Sequence, residues 1–267
     1  MPRLSLDDIT IAYDDVGAGP DVLLLVHGHP FNRSMWKPQL AALADSSWRI
    51  IAPDLRGYGE STVVPGRATL DVFAADLATL LDRLGVERVV LGGLSMGGQI
   101  VMEFCRQHPA RVRGVVLAAT SPVAESEEGK CARHAMADRL LREGMGGYAD
   151  EVLAKMLAPA NIAAFPAAAA HVRGMMRGTD PRGAAAALRG RADRPSYEPT
   201  LAALQAPALI CVGDADAFTT RADAELMRRL VKRSQLLWLP GVGHMPNLER
   251  SAEFDAALRG FLAAVPA

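Results

Sequence analysis

The stretch Val89-Val90-Leu91-Gly92-Gly93-Leu94-Ser95-Met96-Gly97-Gly98-Gln99-Ile100 joins an apolar, β-branched run to a helix-compatible segment through Gly-x-Ser-x-Gly. That spacing suits a nucleophilic serine. The serine would occupy a strained, positive-φ corner, and only residues without side-chain bulk at positions 93 and 97 let strand and helix pass so closely. The following helix directs its amide dipole at the same spot, where negative charge would develop. A serine hydroxyl is a poor nucleophile at neutral pH, so it needs an imidazole to take its proton and a carboxylate to hold that imidazole in one tautomer. Two later loops supply these types: Gly213-Asp214-Ala215-Asp216, and Pro240-Gly241-Val242-Gly243-His244-Met245-Pro246. His244 stands in a glycine-bracketed loop, whereas His108, His134 and His171 fall on helical segments and read as solvated or packing residues. His27 reads as a hydrogen-bonding residue of its own loop. A phosphate-binding loop is excluded, because it requires Lys and then Ser or Thr after its last glycine, and Gln99-Ile100 provides neither.

The elements that must position these groups follow from apolar patterning. Residues 3–16 alternate weakly around Asp7-Asp8 and predict a hairpin at a sheet edge. Continuous apolar runs at 21–26, 48–53, 89–94, 112–119, 207–212 and 236–239 predict strands buried on both faces. Between them lie helical segments at 36–44, 69–84, 96–107, 220–230 and 251–264. In the second, Thr69 is a candidate N-cap and Gly85 a stop. Strand and helix alternate, the mark of βαβ units and a mostly parallel sheet. From 123 to 199 the strand pattern gives way to helical pieces at 131–143, 148–157, 161–177 and 182–190, punctuated by Gly144, Pro159, Gly178 and Pro181. These predict a lid over the carboxyl edge of the sheet, where open α/β sheets bind ligands.

Composition narrows the partners. A chain of 267 residues with a net charge of -1 has no global attraction for nucleic acid or acidic membranes. No apolar segment approaches the roughly 20 residues of a membrane span. The N-terminal segment carries Asp7 and Asp8 where a signal peptide would need a basic patch and an apolar run. Three scattered cysteines, Cys105, Cys131 and Cys211, argue against a disulfide framework or a zinc site and for a reducing, cytoplasmic setting. The chemistry above calls for no cofactor and no metal.

Five pieces in one order resemble the α/β-hydrolase family over nearly the whole chain: His27-Gly28-His29-Pro30, Asp54-Leu55-Arg56-Gly57-Tyr58-Gly59-Glu60-Ser61, Gly93-Leu94-Ser95-Met96-Gly97-Gly98, Gly213-Asp214-Ala215-Asp216 and Gly241-Val242-Gly243-His244. The resemblance implies an α/β-hydrolase fold, a mostly parallel sheet flanked by helices, with a helical lid inserted after the sixth strand. Residues 1–122 and 200–267 would form the core and 123–199 the lid. It also implies a nucleophile, acid and base order of Ser95, Asp216 and His244, with Asp216 chosen over Asp214 by its place three residues after Gly213. By the same similarity, the backbone N–H groups of His29 and Met96 would form the oxyanion hole. Relatives that use an aspartate at the elbow, dehalogenases and epoxide hydrolases, are disfavoured by Ser95.

The sequence is similar to the 3-oxoadipate enol-lactonase and small carboxylesterase branch, which implies hydrolysis of a small-molecule ester or lactone through an acyl-enzyme. Alternatives on the same triad are a C–C bond hydrolase of a diketone and a cofactor-free haloperoxidase or perhydrolase. A non-catalytic ligand receptor is disfavoured by the complete triad. Phe31, Met136, Met145, Phe165, Met175, Met176, Phe218 and Met245 are apolar candidates for the pocket lining. A substrate carboxylate would want a buried cation, and Arg133, Arg139, Arg173 and Arg177 lie in the lid segment.

Overall fold

The apolar runs become strands of one eight-stranded sheet in the computed structural model, which describes residues 2–266. The strands are β1 (Arg3–Ser5), β2 (Thr10–Val16), β3 (Asp21–Val26), β4 (Trp48–Pro53), β5 (Val89–Leu94), β6 (Val112–Ala118), β7 (Ala208–Gly213) and β8 (Ser234–Leu239), in the spatial order β1-β2-β4-β3-β5-β6-β7-β8. β1 and β2 form the antiparallel hairpin expected at the edge, and β2 also runs antiparallel to β4. All other neighbours are parallel. Because β3 lies between β4 and β5, the order reverses there. The loops leaving β3 and β5 therefore emerge side by side, with Val26 paired to Gly93. A crevice at such a reversal is where open α/β sheets bind ligands.

The helices are α1 (Lys37–Leu43), α2 (Leu70–Arg83), α3 (Met96–Gln107), α4 (Glu127–Glu143), α5 (Gly146–Met156), α6 (Pro159–Ala164), α7 (Pro166–Gly178), α8 (Pro181–Arg191), α9 (Glu198–Ala203), α10 (Arg221–Leu230), α11 (Pro246–Glu249) and α12 (Ser251–Ala264). Successive strand residues point to opposite faces, so each parallel strand feeds two cores. Val22, Leu24 and Val26 pack with Phe73 and Leu77 of α2 and Ile100 and Phe104 of α3. Leu23 and Leu25 pack with Leu40 of α1 and Phe254 and Leu258 of α12.

Six helices, α4 to α9, lie between β6 and β7. Four local differences from the sequence reading stand out, the first two with clear causes. α4 starts four residues earlier than expected because the Ser126 side chain accepts the Gly129 N–H and Glu127 and Glu128 favour the helix N-terminus. The segment 161–177 is broken at Phe165, since the residue before a proline is pushed out of the helical region, and Pro166 begins a separate helix. Helix α9 went unanticipated, with Pro199 tolerated in its first turn. Thr69 occupies the cap position of α2 without making a side-chain capping bond, whereas Gly85, at φ 68°, ends that helix as expected.

The helices over the sheet are seated by close backbone approach. A Cβ at Gly190 of α8 would collide with the Ala68 carbonyl, and one at Gly183 with the Gly57 carbonyl. Gly174 in the interior of α7 faces open space. Gly190→Ala is therefore expected to cost about 1–3 kcal/mol through overpacking. Gly174→Ala is expected to stabilise by about 0.5–1 kcal/mol through helix propensity. Thermal unfolding of the two variants checks this: opposite shifts of Tm are expected, and a neutral Gly190→Ala would contradict the seating.

Candidate active site

At the end of β5 the chain turns through Ser95, at φ 56° and ψ −116°, directly into α3. Few non-glycine residues hold a positive φ without support from their surroundings. Here the Ser95 N–H donates to Ala118 O at 2.9 Å, while Ser95 O accepts from Thr120 Oγ1 at 2.8 Å and from Gln99 N at 3.2 Å. Crowding around the turn requires its glycines. A Cβ at Gly93 would strike the Gly97 backbone, and one at Gly97 would strike the carbonyls of Val26 and His27.

The imidazole and carboxylate come from the loops after β8 and β7. His244 Nδ1 lies 2.9 Å from each carboxylate oxygen of Asp216, and both side chains are buried. Asp216 Oδ1 also accepts the N–H groups of Phe218 (2.8 Å) and Thr219 (3.2 Å), so backbone donors fix the carboxylate against the ring. This leaves Nδ1 as the protonated nitrogen and Nε2 as the one with a free lone pair. Asp214 does other work: its Oδ1 accepts Gly241 N–H at 2.6 Å and braces the histidine loop from outside. The Phe218 ring stands 4.8 Å from the His244 ring in a T-shaped contact.

The loop after β3 faces this pair across the crevice. His27 is a loop residue, with Nδ1 donating to Gly28 O at 2.9 Å and Nε2 accepting Leu55 N–H at 3.0 Å. Burial lowers its pKa, consistent with a neutral, doubly hydrogen-bonded ring. The backbone N–H of His29 finds no acceptor among the described residues. Met96, as the first residue of α3, has no intrahelical acceptor for its own N–H. Beneath the loop, Asp54 accepts the Arg33 N–H (2.7 Å), the Arg33 guanidinium and the Glu60 N–H (2.8 Å), locking the loops after β3 and β4 together.

Ser95, His29 and His244 line one cavity of about 580 Å³. Of the apolar residues expected around the pocket, Met136 and Phe218 line it. The others do not. Phe31, Met175, Met176 and Met245 are buried in the core beneath α12, where they attach the lid helices to the sheet. Met145 belongs to the small cluster between α4, α5 and α8. Phe165 is 40% exposed on the outer surface. Several large apolar side chains are consumed in holding the helices down, and the cavity wall mixes apolar residues such as Met136, Val152, Met156 and Leu188 with a polar set that includes Gln99, Thr120, Glu125, Arg133, Arg191 and Arg194. Arg139, Arg173 and Arg177 are absorbed by Glu143, Glu151 and Asp150 away from the cavity, while Arg133 lines it.

Sequence reasoning also passed over Glu249, five residues after His244. Its buried carboxylate accepts four donors: Gly243 N (3.0 Å), Met245 N (3.3 Å), Ala158 N (2.9 Å) and Asn161 Nδ2 (2.6 Å). One side chain thus binds both residues flanking His244 and ties that loop to the start of α6. The only sequence signal was an acid in the short α11 that follows the histidine loop. Glu249→Gln would turn an amide NH₂ toward donors and leave buried N–H groups unmatched, at about 1–3 kcal/mol. The expected outcome is a lower Tm together with a lower kcat for any His244-dependent turnover; unchanged values of both would contradict this bracing role.

Comparison with known proteins agrees with this architecture. Residues 23–257 match the model of the alpha/beta hydrolase family. A thermophilic esterase from Thermogutta terrifontis, solved with malate bound, superposes with a TM-score of 0.95 at 38% identity, covering 99% of both chains. The putative non-heme chloroperoxidase of Synechocystis sp. is 29% identical over 95% of each chain. The 3-oxoadipate enol-lactonase 1 of Acinetobacter baylyi is 28% identical, covering 88% of this chain and 85% of its own. This chain belongs to the alpha/beta hydrolase family.

Proposed function

We propose that the protein is a serine hydrolase of carboxylic esters or lactones, with Ser95 as nucleophile, His244 as general base and acid, and Asp216 as the group that orients His244. The observation that carries this reading is the Asp216 carboxylate on His244 Nδ1 at 2.9 Å, behind a cavity that the positive-φ Ser95 also lines. The esterase and enol-lactonase relatives support it.

In this reading His244 Nε2 takes the Ser95 proton as Oγ attacks the acyl carbon. The developing oxyanion is met by the N–H groups of His29 and Met96, each such donor being worth on the order of 3 kcal/mol in the transition state. His244 then protonates the departing alcohol, or the ring oxygen of a lactone, and the acyl group stays on Ser95. Water enters, gives a proton to His244 and attacks the acyl carbon; the Oγ–acyl bond then breaks as His244 returns that proton to Ser95 Oγ, and the acid leaves. Asp216 keeps the proton on Nδ1 and stabilises the imidazolium at each transfer. Helices α4 to α8, within residues 123–199, act as the lid that shapes the acyl and leaving-group sites. The similarity to the putative chloroperoxidase favours one second reading, transfer of the acyl group to hydrogen peroxide from the same acyl-enzyme.

Turnover of short-chain p-nitrophenyl esters tests the assignment. Ser95→Ala is expected to abolish it. Asp216→Asn is expected to lower kcat on the order of 10⁴-fold by favouring the wrong imidazole tautomer. Asp214→Asn, which loses a brace on Gly241, is expected to have a far smaller effect. Unchanged turnover in Ser95→Ala, or an Asp214→Asn loss exceeding that of Asp216→Asn, would refute these roles.

A further inference from the structure

One end of the cavity carries more positive charge than the protein balances. Arg133, Arg191 and Arg194 all line it, from α4, the last turn of α8 and the loop beyond. Glu125 is shared by two of them: it pairs with the Arg133 Nε and lies 3.7 Å from Arg194 Nη2. Arg194 also donates from Nε to Val123 O at 3.0 Å. Asp223 reaches the cavity too, but its oxygens are taken by Ser121 Oγ (2.7 Å) and by the Thr220 hydroxyl and N–H as part of the α10 capping box. Arg191, 8% exposed, has no carboxylate partner among the described residues. Its single hydrogen bond there runs from Nε to Gln99 Oε1 at 3.1 Å, leaving both terminal nitrogens of the fork unused. A buried charge without a partner is costly, and burial together with Arg133 and Arg194 presses its pKa well below the ordinary arginine value.

His29, another residue of the cavity lining, carries a second unused donor. His29 Nδ1 is 2.8 Å from the Tyr58 hydroxyl, and its Nε2 is buried with no partner. The Tyr58 hydroxyl is buried and has no other partner among the described residues, and desolvation pushes its pKa up, so it stays protonated. With its proton donated to His29 Nδ1, the hydroxyl is satisfied and the remaining ring proton resides on Nε2. Burial and the field of Arg191 hold the His29 pKa well below its usual value, so the ring is neutral and donates one proton from Nε2. Gln99 sits one helical turn after Ser95, with its N–H on Ser95 O. Arg191, anchored on the Gln99 side chain, is therefore tied to the same helical turn as the serine.

We propose that the Arg191 guanidinium and His29 Nε2–H form a carboxylate-binding subsite beside Ser95, and that the natural substrate is an ester or lactone carrying a second, ionised carboxylate. Donors left unused within the protein suit an anion, and the planar fork of arginine matches a carboxylate bidentately. The substrate carboxylate would supply the counter-charge that Arg191 lacks. This proposal rests on the serine-hydrolase reading.

The test compares two substrates of equal length, 4-nitrophenyl hydrogen glutarate and its methyl-capped diester. Wild-type protein is expected to favour the hemiester in kcat/KM by about tenfold or more, the usual scale for a charge-assisted hydrogen bond. Arg191→Gln is expected to remove that preference and Arg191→Lys to restore part of it, the ratio within each variant being independent of how much protein is active. A wild-type ratio near unity or favouring the capped ester, or a preference intact in Arg191→Gln, would overturn the proposal. Calorimetric titration of glutarate into Ser95→Ala protein separates the two claims. Binding that is lost in the Ser95→Ala, Arg191→Gln double variant supports the subsite even if no ester is turned over, whereas absence of binding, or binding unaffected by the arginine, overturns it.

Discussion

The close approach of three backbones around Ser95 is the constraint on which the rest of the site depends. Gly93 lies against Gly97, Gly97 against the carbonyls ending β3, and Gly28 against the Leu94 carbonyl. The end of β5, the first turn of α3 and the loop after β3 are thereby pressed into contact, and the Ser95 turn has no room to relax into an ordinary conformation. Its positive φ persists because hydrogen bonds to Ala118 and Thr120 fix both sides of the residue. The sheet order makes the contact possible, since β3 and β5 are adjacent only because the winding reverses between them. From that one packing arrangement follow the position of the proposed nucleophile and the nearness of the two N–H groups proposed to face the oxyanion.

Charge is managed in two ways around this point. Below the crevice, Asp54 and Arg33 are buried together and fully engaged, and their network holds the loops after β3 and β4. Glu249 does the same for the histidine loop with four donors. These buried charges have their partners within the protein and serve as mechanical ties. Arg191 differs, because it lines the cavity with one side-chain hydrogen bond and no carboxylate in direct contact among the described residues.

How much of this was legible in the sequence divides along physical lines. Strands buried on both faces announce themselves as continuous apolar runs, and glycines forced by backbone contact sit at fixed spacing around Ser95. The sheet, the elbow and the two polar loops were accordingly readable. The distinction between Asp214 and Asp216 needed the resemblance, since both are acids in one short loop and only the fold decides which meets His244. The pocket lining was the poorest part of the reading. Met175, Met245 and Phe31 were expected to face the substrate because they are large and apolar, yet those properties also suit them to attach helices to the core. Conversely Arg191 and Glu249 drew no reading at all, because nothing in a linear pattern reveals that a charged side chain is buried by elements distant in sequence. The lid boundary effects at Phe165 and Ser126 were local and readable in principle, through Pro166 and the capping serine.

The central claim is that Ser95 is an activated nucleophile, and covalent labelling with a fluorophosphonate probe, followed by mass mapping of the modified peptide, tests it most directly. The account requires a single adduct on Ser95 that is suppressed in His244→Ala protein, because the hydroxyl reacts only when the imidazole takes its proton. An adduct on any other residue, or Ser95 labelling undiminished without His244, would contradict it.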